Sequence, residues 1–246
     1  MAQKKTLVIS SADQLLEART RRDFLKVIGV GGVLVMLPTA MSACGNDTTT
    51  SPKPGSGSTV TIDFAKGDIA VLQFAYALEQ LEADFYTRVV AAFGSSGLSS
   101  TEQGVLGDIK NHEIIHREFL KAALGASNGF TLTPTYPGVS FTSRTSVLAT
   151  AAAFEDLGVA AYNGAAQYIS DTGYLTLAGK IVSVEARHAS AIHDLISPKT
   201  DAFAPQPFDN AFSPTKVAAA AQGYIVDKLA FANAPSTFVQ GPNNNG

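Results

Sequence analysis

The sequence predicts an all-α fold: a four-helix bundle with a long crossover between helices 2 and 3 and a short C-terminal extension. Three observations support it. Two Glu-x-x-His patterns lie on apolar helical faces, a pair of helical segments recurs along the chain, and one long irregular connection separates the two pairs. With 246 residues and 46% hydrophobic content, the chain can form one sizeable domain with appendages.

Turn and capping residues set the limits of the helical segments. The expected helices run from about Gly67 to Ala92, from Ser99 to Leu124, from Ser146 to Ile169 and from Tyr174 to Ile196, with a short fifth helix from Ser213 to about Val226. Gly125 is expected to stop the second helix, and Pro198 ends the fourth. The stretch from Gly129 to Arg144, which contains two prolines, fits a crossover between the ends of a bundle.

The Glu-x-x-His patterns are Glu113 with His116 and Glu185 with His188. Residues three apart on an α-helix share a face, so each Glu and His can reach one point in space. On a helical wheel both pairs lie among Leu, Ile and Val residues and therefore point inward. A carboxylate removed from water needs a partner, a proton or a metal ion, and imidazoles beside two such carboxylates favour a metal.

Two further acids interrupt apolar faces. Glu79 and Glu155 each have a tyrosine seven residues later, Tyr86 and Tyr162 respectively. Glu79 precedes the first Glu-x-x-His pattern by 34 residues and Glu155 precedes the second by 30, spacings that suit helical hairpins. The two tyrosines are candidates for hydrogen bonds to ligand carboxylates, and aromatic core packing is the alternative.

Glu82 competes with Glu79 for the first-helix position because it follows three residues later and also faces inward. The internal repeat favours Glu79, since Gly158 occupies the position equivalent to Glu82. Either residue, or both, could serve. His112 and His193 lie to one side of the inward faces and are interpreted as surface or rim residues.

The segment Leu78–Tyr86 resembles the first-helix signature of a bacterial branch of the ferritin-like superfamily that also includes plant desiccation-related proteins. The resemblance extends from about Phe64 to Ser197. It implies a two-metal centre, with redox chemistry towards oxygen or peroxide. The ligands it implies are the six residues of the repeated pattern, with Glu82 as the open alternative: Glu79, Glu113, His116, Glu155, Glu185 and His188. No catalytic residue beyond these ligands is expected.

The expected cofactor is two iron ions, with manganese as an alternative, because carboxylates and imidazoles suit both metals. The first functional hypothesis is an exported di-metal redox protein acting on oxygen, peroxide or ferrous iron. The alternative is a non-enzymatic ferritin-like lipoprotein of the envelope, stress-related or an interaction module, whose site is structural or holds one ion.

The N-terminal region predicts export. Residues 1–43 contain Arg21-Arg22 followed by Phe-Leu-Lys and a short uncharged stretch, which is typical of a twin-arginine signal peptide. The segment before Cys44 resembles a lipobox, which predicts a lipid anchor on Cys44 and a membrane-tethered location in the periplasm or envelope. Ordinary cleavage nearby, with Cys44 incidental, is the alternative.

The remaining domain boundaries follow from composition. Residues 44–62 are rich in Thr, Ser, Pro and Gly and are predicted to be a flexible tether, followed by the bundle (63–198) and the C-terminal extension (199–246). Without the six basic and three acidic residues of 1–43, the chain keeps 12 basic and 18 acidic residues. This negative balance argues against a nucleic-acid partner. The sequence leaves the oligomeric state open, with a homodimer as one alternative.

Overall fold

The computed structural model describes residues 53–241. This region forms α1 (Asp68–Ala91), α2 (Ser100–Asn128), α3 (Arg144–Ala165), α4 (Thr172–Ile196) and α5 (Pro214–Ala221), with strands β1 (Thr59–Asp63) and β2 (Lys228–Ala232). Four short 3₁₀ turns connect these elements. The predicted signal peptide, the candidate lipidation residue Cys44 and the start of the predicted tether lie outside the described residues.

The four long helices pack as two hairpins. α1 packs mainly against α2 and α3 mainly against α4, and the hairpins meet through α1 with α3 and α2 with α4. α1 is buried along most of its length, and its buried residues include the polar Gln73, Glu79, Gln80 and Glu82. The predicted all-α bundle is confirmed.

Capping residues explain where the helices begin. The Ser99 hydroxyl accepts a hydrogen bond from the backbone amide of Glu102, and the Glu102 carboxylate accepts one from the backbone amide of Ser99. Together they form a capping box at the start of α2. Asp171 caps α4 in the same way through the amides of Gly173 and Tyr174. These caps satisfy backbone donors that would otherwise lack partners.

Gly125 interrupts α2, as predicted from the sequence. Its backbone is not helical, with φ 65° and ψ 177°, and a further short helical stretch follows the kink as far as Asn128. Only glycine enters this region of φ without strain, so the regular helix that begins at Ser100 is broken at Gly125.

The predicted crossover lies between α2 and α3 and is fixed to the bundle by hydrogen bonds. The Leu132 amide donates to the Gln80 side chain (3.0 Å), and the Tyr136 hydroxyl donates to the Leu81 carbonyl (3.0 Å). The Thr133 amide donates to the Asp227 carboxylate (2.8 Å). The crossover therefore also binds the C-terminal extension.

A two-stranded parallel sheet, β1 with β2, was not predicted. Residues 59–62 were assigned to the flexible tether, and the C-terminal extension was expected to hold only one short helix; both assignments are wrong here. β1 pairs with β2 from Thr59 opposite Lys228 to Asp63 opposite Ala232. The apolar Ile62 of β1 is fully buried, and its core contacts come from distant parts of the chain.

The core of the bundle encloses a group of acids. Aromatic side chains of α1, the crossover and α3 pack around Phe85, which meets Tyr86 and Phe154 edge to face and Tyr136 at a tilted angle. Within this apolar surrounding lie the four carboxylates described below, all without solvent exposure. In the described part of the chain, no helix has both the length and the apolar character needed to cross a membrane.

Candidate metal centre

Each of the four long helices contributes one fully buried glutamate to the same region. These are Glu79 on α1, Glu113 on α2, Glu155 on α3 and Glu185 on α4, each with 0% exposure. The helical spacing of three residues places His116 beside Glu113 and His188 beside Glu185, each pair on one face of its own helix. The six residues of the predicted repeat are thus brought together by the fold.

Their donor atoms form two overlapping groups, the only ones of this kind in residues 53–241. One group contains Glu79, Glu113, His116 and Glu185, and the other contains Glu113, Glu155, Glu185 and His188. Within each group, one donor atom per residue lies within 4.8 Å of all the others. Two donors bound to one ion at about 2.1 Å each are at most about 4.2 Å apart, so small movements would complete each site.

The imidazoles reach across to the opposite hairpin. His116 Nδ1 lies 2.9 Å from Glu185 Oε1, and His188 Nδ1 lies 2.9 Å from Glu113 Oε1. Each imidazole also approaches the glutamate on the other helix of its own hairpin: His116 Nδ1 lies 3.6 Å from Glu79 Oε2, and His188 Nδ1 lies 3.3 Å from Glu155 Oε2. The two halves of the centre are therefore related approximately by a twofold axis, with Glu113 and Glu185 shared.

Several buried atoms of the centre have no hydrogen-bond partner among the described residues. They are Glu79 Oε2, Glu113 Oε1, Glu155 Oε2, both carboxylate oxygens of Glu185 and His188 Nδ1. Some of these atoms approach each other closely, but not with the angles of a hydrogen bond. An unsatisfied buried polar group costs about 1–3 kcal/mol, and more when it is charged. Such a concentration of free donor atoms is what a metal ion would satisfy.

Burial and neighbouring charges shift the pKa values of the buried carboxylates. Burial raises the pKa of Glu79 to about 8, although its contact with His116 opposes the shift. Burial also raises the pKa of Glu155 well above its usual range. For Glu113 burial acts in the same direction, but the close contacts of its carboxylate with the imidazoles of His116 and His188 outweigh it and lower the pKa to about 2.

The imidazoles respond in the opposite sense. Burial favours their neutral form, but the surrounding carboxylates raise the pKa of His188 to about 12 and that of His116 well above its usual range. Without metal, protons therefore supply the positive charge. Two divalent cations would neutralise four carboxylates and leave both imidazoles free to act as neutral ligands, so the donor set fits two such ions.

The tyrosines of the repeat form reciprocal hydrogen bonds between the hairpins. The Tyr162 hydroxyl on α3 donates to Glu79 Oε1 on α1 (2.5 Å), and the Tyr86 hydroxyl on α1 donates to Glu155 Oε1 on α3. Burial raises the pKa of both tyrosines well above the usual range, so both remain donors. The hydrogen bonds considered from the sequence are present, and they orient two of the four carboxylates.

Glu82 lies beside the two groups but belongs to neither. It is 4% exposed, and its Oε1 would be only 3.0 Å from a Cβ atom placed on Gly158. Burial and the charge of Glu185 raise the pKa of Glu82 well above its usual range. The carboxyl group of Glu82 thus occupies the space that a side chain at position 158 would fill. Glu79, not Glu82, is the counterpart of Glu155 in the two donor groups.

His112 has a contact that the sequence analysis missed. It is exposed, as predicted, but its Nδ1 lies 2.8 Å from His188 Nε2. The two rings are within 12° of parallel with centroids 5.1 Å apart, which matches a hydrogen bond in the common plane of the rings. Burial and the charge of His188 lower the pKa of His112, whereas the carboxylates around His188 raise its pKa to about 12. In the metal-free protein His188 therefore carries hydrogen on both ring nitrogens and donates from Nε2 to the neutral His112. The contact joins α2 to α4, so no spacing within one helix could have indicated it.

His193 takes no part in the centre. Its Nε2 lies 3.0 Å from both carboxylate oxygens of Asp156, and both residues are partly exposed. This agrees with its interpretation as a surface or rim residue.

The fold and the site define a class of protein: a helical bundle in which two hairpins each direct one Glu and one Glu-x-x-His pair to a common buried point. The sequence model of the family described as a ferritin-like domain matches residues 67–198, more than half of the chain. The chain belongs to the ferritin-like domain family. No curated protein matches it.

Proposed function

We propose that this protein holds two metal ions, with iron as the expected metal and manganese as the alternative, and that the centre reacts with dioxygen, peroxide or ferrous iron. The observation that supports it most is the pair of overlapping donor groups that share Glu113 and Glu185. In this proposal Glu79 and His116 would hold the first ion and Glu155 and His188 the second, with Glu113 and Glu185 available to both because they belong to both donor groups.

The side chains around the donor groups suit this role. Hydrogen bonds from Tyr86 and Tyr162 hold one oxygen of Glu155 and Glu79, which leaves the other oxygen of each free for a metal. His188 presents Nδ1 to the carboxylates while its Nε2–H is held by His112. These contacts fix the orientation and the tautomer of ligands before an ion binds, which lowers the cost of binding.

Two ferrous ions in such a centre would supply the two electrons that, with two protons, reduce dioxygen to hydrogen peroxide or hydrogen peroxide to two water molecules. The apolar core around the carboxylates limits access of bulk water to them. Ferrous iron would be the reductant and the substrate in this reaction.

The test combines metal content with oxygen consumption. The full chain should bind close to two ferrous ions and then consume oxygen, whereas Glu113→Gln combined with His116→Gln should lose both properties. Glu118→Gln, on the exposed face of α2, is the matched control and should behave like the unchanged protein. Full metal content in the double variant would overturn the ligand assignment. Metal binding without oxygen or peroxide turnover would favour the alternative, a ferritin-like protein with a structural site.

We propose in addition that the domain is exported and held at a membrane through a lipid on Cys44. Support comes from the paired arginines and the lipobox-like segment, and the acidic balance of the rest of the chain supports the absence of a nucleic-acid partner. Cys44→Ala should move the protein from the membrane fraction to the soluble fraction of the envelope. Unchanged membrane association would contradict the anchor.

A further inference from the structure

An apolar cavity of about 30 Å³ lies at one end of the carboxylate cluster. Its walls come from the N-terminal half of α1, the C-terminal halves of α2 and α3, and the N-terminal half of α4. The side chains at its mouth, among them Ala166 and Ala178, are half-buried, whereas Phe74, Leu78 and Ala161 further in are at most 3% exposed. The cavity therefore leads from the surface into the core.

The inner part of the cavity touches the centre through one side chain. Tyr162 lines the cavity and also donates its hydroxyl hydrogen to Glu79 Oε1 at 2.5 Å. Leu78, another lining residue, directly precedes Glu79 in the chain. A molecule in the cavity would thus be separated from the carboxylates by a single aromatic ring.

The chemistry of the lining selects a small, uncharged, apolar molecule. Apart from Tyr162 and Tyr174, the lining side chains are Ala, Val, Leu, Ile and Phe, and the Tyr162 hydroxyl is already bound to Glu79. A buried water needs two to four polar partners, which this lining does not offer. A cavity volume of about 10–15 Å³ holds one water, so about 30 Å³ fits a molecule of two heavy atoms. Hydrogen peroxide has the same number of heavy atoms but would lose its hydrogen bonds to water here.

The polar side of the cluster lies in the other direction along α2. His112, with its contact to His188, precedes His116 by one helical turn, whereas the cavity residues Phe119 and Leu120 follow it by one turn. Apolar and polar approaches to the centre are thus separated along the bundle.

We propose that this cavity binds dioxygen and conducts it to the carboxylate cluster in preference to hydrogen peroxide. The binding itself depends only on the cavity, while the delivery to a reacting centre rests on the function proposed above. The two parts can therefore be tested separately.

Xenon is the probe for binding, because it occupies apolar cavities without any metal chemistry. A crystal of the metal-free full chain under xenon pressure should show xenon between Tyr162 and Ala178. Ala178→Phe at the mouth and Ala75→Leu on another wall should each remove it, and Ala123→Phe, half-buried on α2 but outside the cavity, should not. Absence of xenon from the unchanged protein, or its persistence in both filled variants, would overturn the proposal.

Oxygen kinetics test the delivery. In protein loaded with ferrous iron, Ala178→Phe should slow oxidation by dioxygen several-fold, with iron content unchanged and the rate with hydrogen peroxide unaffected. Equal slowing with both oxidants, or no slowing with dioxygen, would overturn the access role. If the unchanged protein binds iron but does not react with dioxygen, the proposed function fails, and the xenon result alone decides whether the cavity is a gas site.

Discussion

Tyr162 on α3 donates a hydrogen bond of 2.5 Å to Oε1 of Glu79 on α1, and Tyr86 on α1 donates to Glu155 on α3 in return. The two hairpins are thus joined at the carboxylate cluster by a reciprocal pair of bonds. Each bond satisfies one oxygen of a buried carboxylate and directs the other towards the shared glutamates. This arrangement makes the tyrosines positioning residues for the centre.

Tyr162→Phe should weaken the centre without disrupting the fold. Loss of the donor leaves Glu79 Oε1 unsatisfied, which should lower the free energy of unfolding by about 1–3 kcal/mol. Metal affinity should fall by about 10- to 100-fold, as is typical when a partner of a metal ligand is removed. Denaturant unfolding and metal titration measure the two effects.

Tyr168→Phe is the matched control for that substitution. The Tyr168 hydroxyl donates to the Thr237 carbonyl at 2.7 Å, outside the centre, so its removal should leave metal affinity unchanged. Equal metal affinities for Tyr162→Phe and the unchanged protein would contradict a positioning role for Tyr162.

His112 should influence metal binding although it is not proposed as a ligand. Its acceptor nitrogen holds the Nε2–H of His188, so His112→Phe should reduce metal affinity by about 10- to 100-fold. His112→Gln, which retains an acceptor, should recover part of the loss. His193→Gln removes a histidine whose imidazole pairs with Asp156 outside the centre, and it should have no effect on metal affinity. An unchanged affinity in His112→Phe would show that the contact with His188 is incidental.

Gly158 and Glu82 should be energetically coupled. A Cβ atom at position 158 would lie 3.0 Å from Glu82 Oε1, so Gly158→Ala should displace that carboxyl group. This cost opposes the gain of about 0.5–1 kcal/mol that alanine normally brings to a helix interior. In a Glu82→Ala background the cost disappears, and Gly158→Ala should become stabilising. Denaturant unfolding of the four proteins in this cycle tests the coupling, and additive free energies would contradict it.

The stability of the metal-free protein should fall as the pH rises from about 5 to 8. Glu79 has a folded pKa of about 8 against an ordinary value of 4.5, so the folded state holds its proton longer than the unfolded state. Stability from this group is complete below pH 4.5 and is lost as the pH rises through 8. The raised pKa of His188, about 12 against 6.5, acts in the same direction.

Metal should reverse this dependence. Bound ions replace the protons of Glu79, His116 and His188, so metal binding strengthens with pH and the loaded protein should become more stable from pH 5 to 8. Urea unfolding at both pH values, with and without ferrous iron under anaerobic conditions, provides the comparison. Glu79→Gln should flatten the metal-free profile. A metal-free protein that becomes more stable over this range would contradict the assigned protonation of the centre.

The sequence predicted the parts of the site that depend on local geometry. Glu113 with His116 and Glu185 with His188 could be recognised because residues three apart on a helix share a face. The helical wheel placed both Glu79 and Glu82 inward and could not choose between them. The choice depends on packing between helices, because Gly158 on α3 leaves room for the carboxyl group of Glu82. The bond between His112 and His188 also joins two helices and therefore gave no periodic signal.

The sheet was missed for a related reason. β1 and β2 are short, five residues each, and their pairing brings together segments from the two ends of the described region. The polar, Gly- and Ser-rich stretch before β1 favours a tether by composition. The last residues of the predicted tether form β1 because they pair with β2 and because Ile62 is buried in the core.

Elemental analysis of the full chain decides whether the six residues of the repeated pattern hold two metal ions. The protein should be produced in iron- and manganese-replete medium and purified without chelator, beside the Glu113→Gln, His116→Gln double variant. We expect close to two ions of iron or manganese per chain and a loss of this metal in the variant. An absence of metal after reconstitution with ferrous iron, or equal metal in both proteins, would show that these residues do not hold the ions.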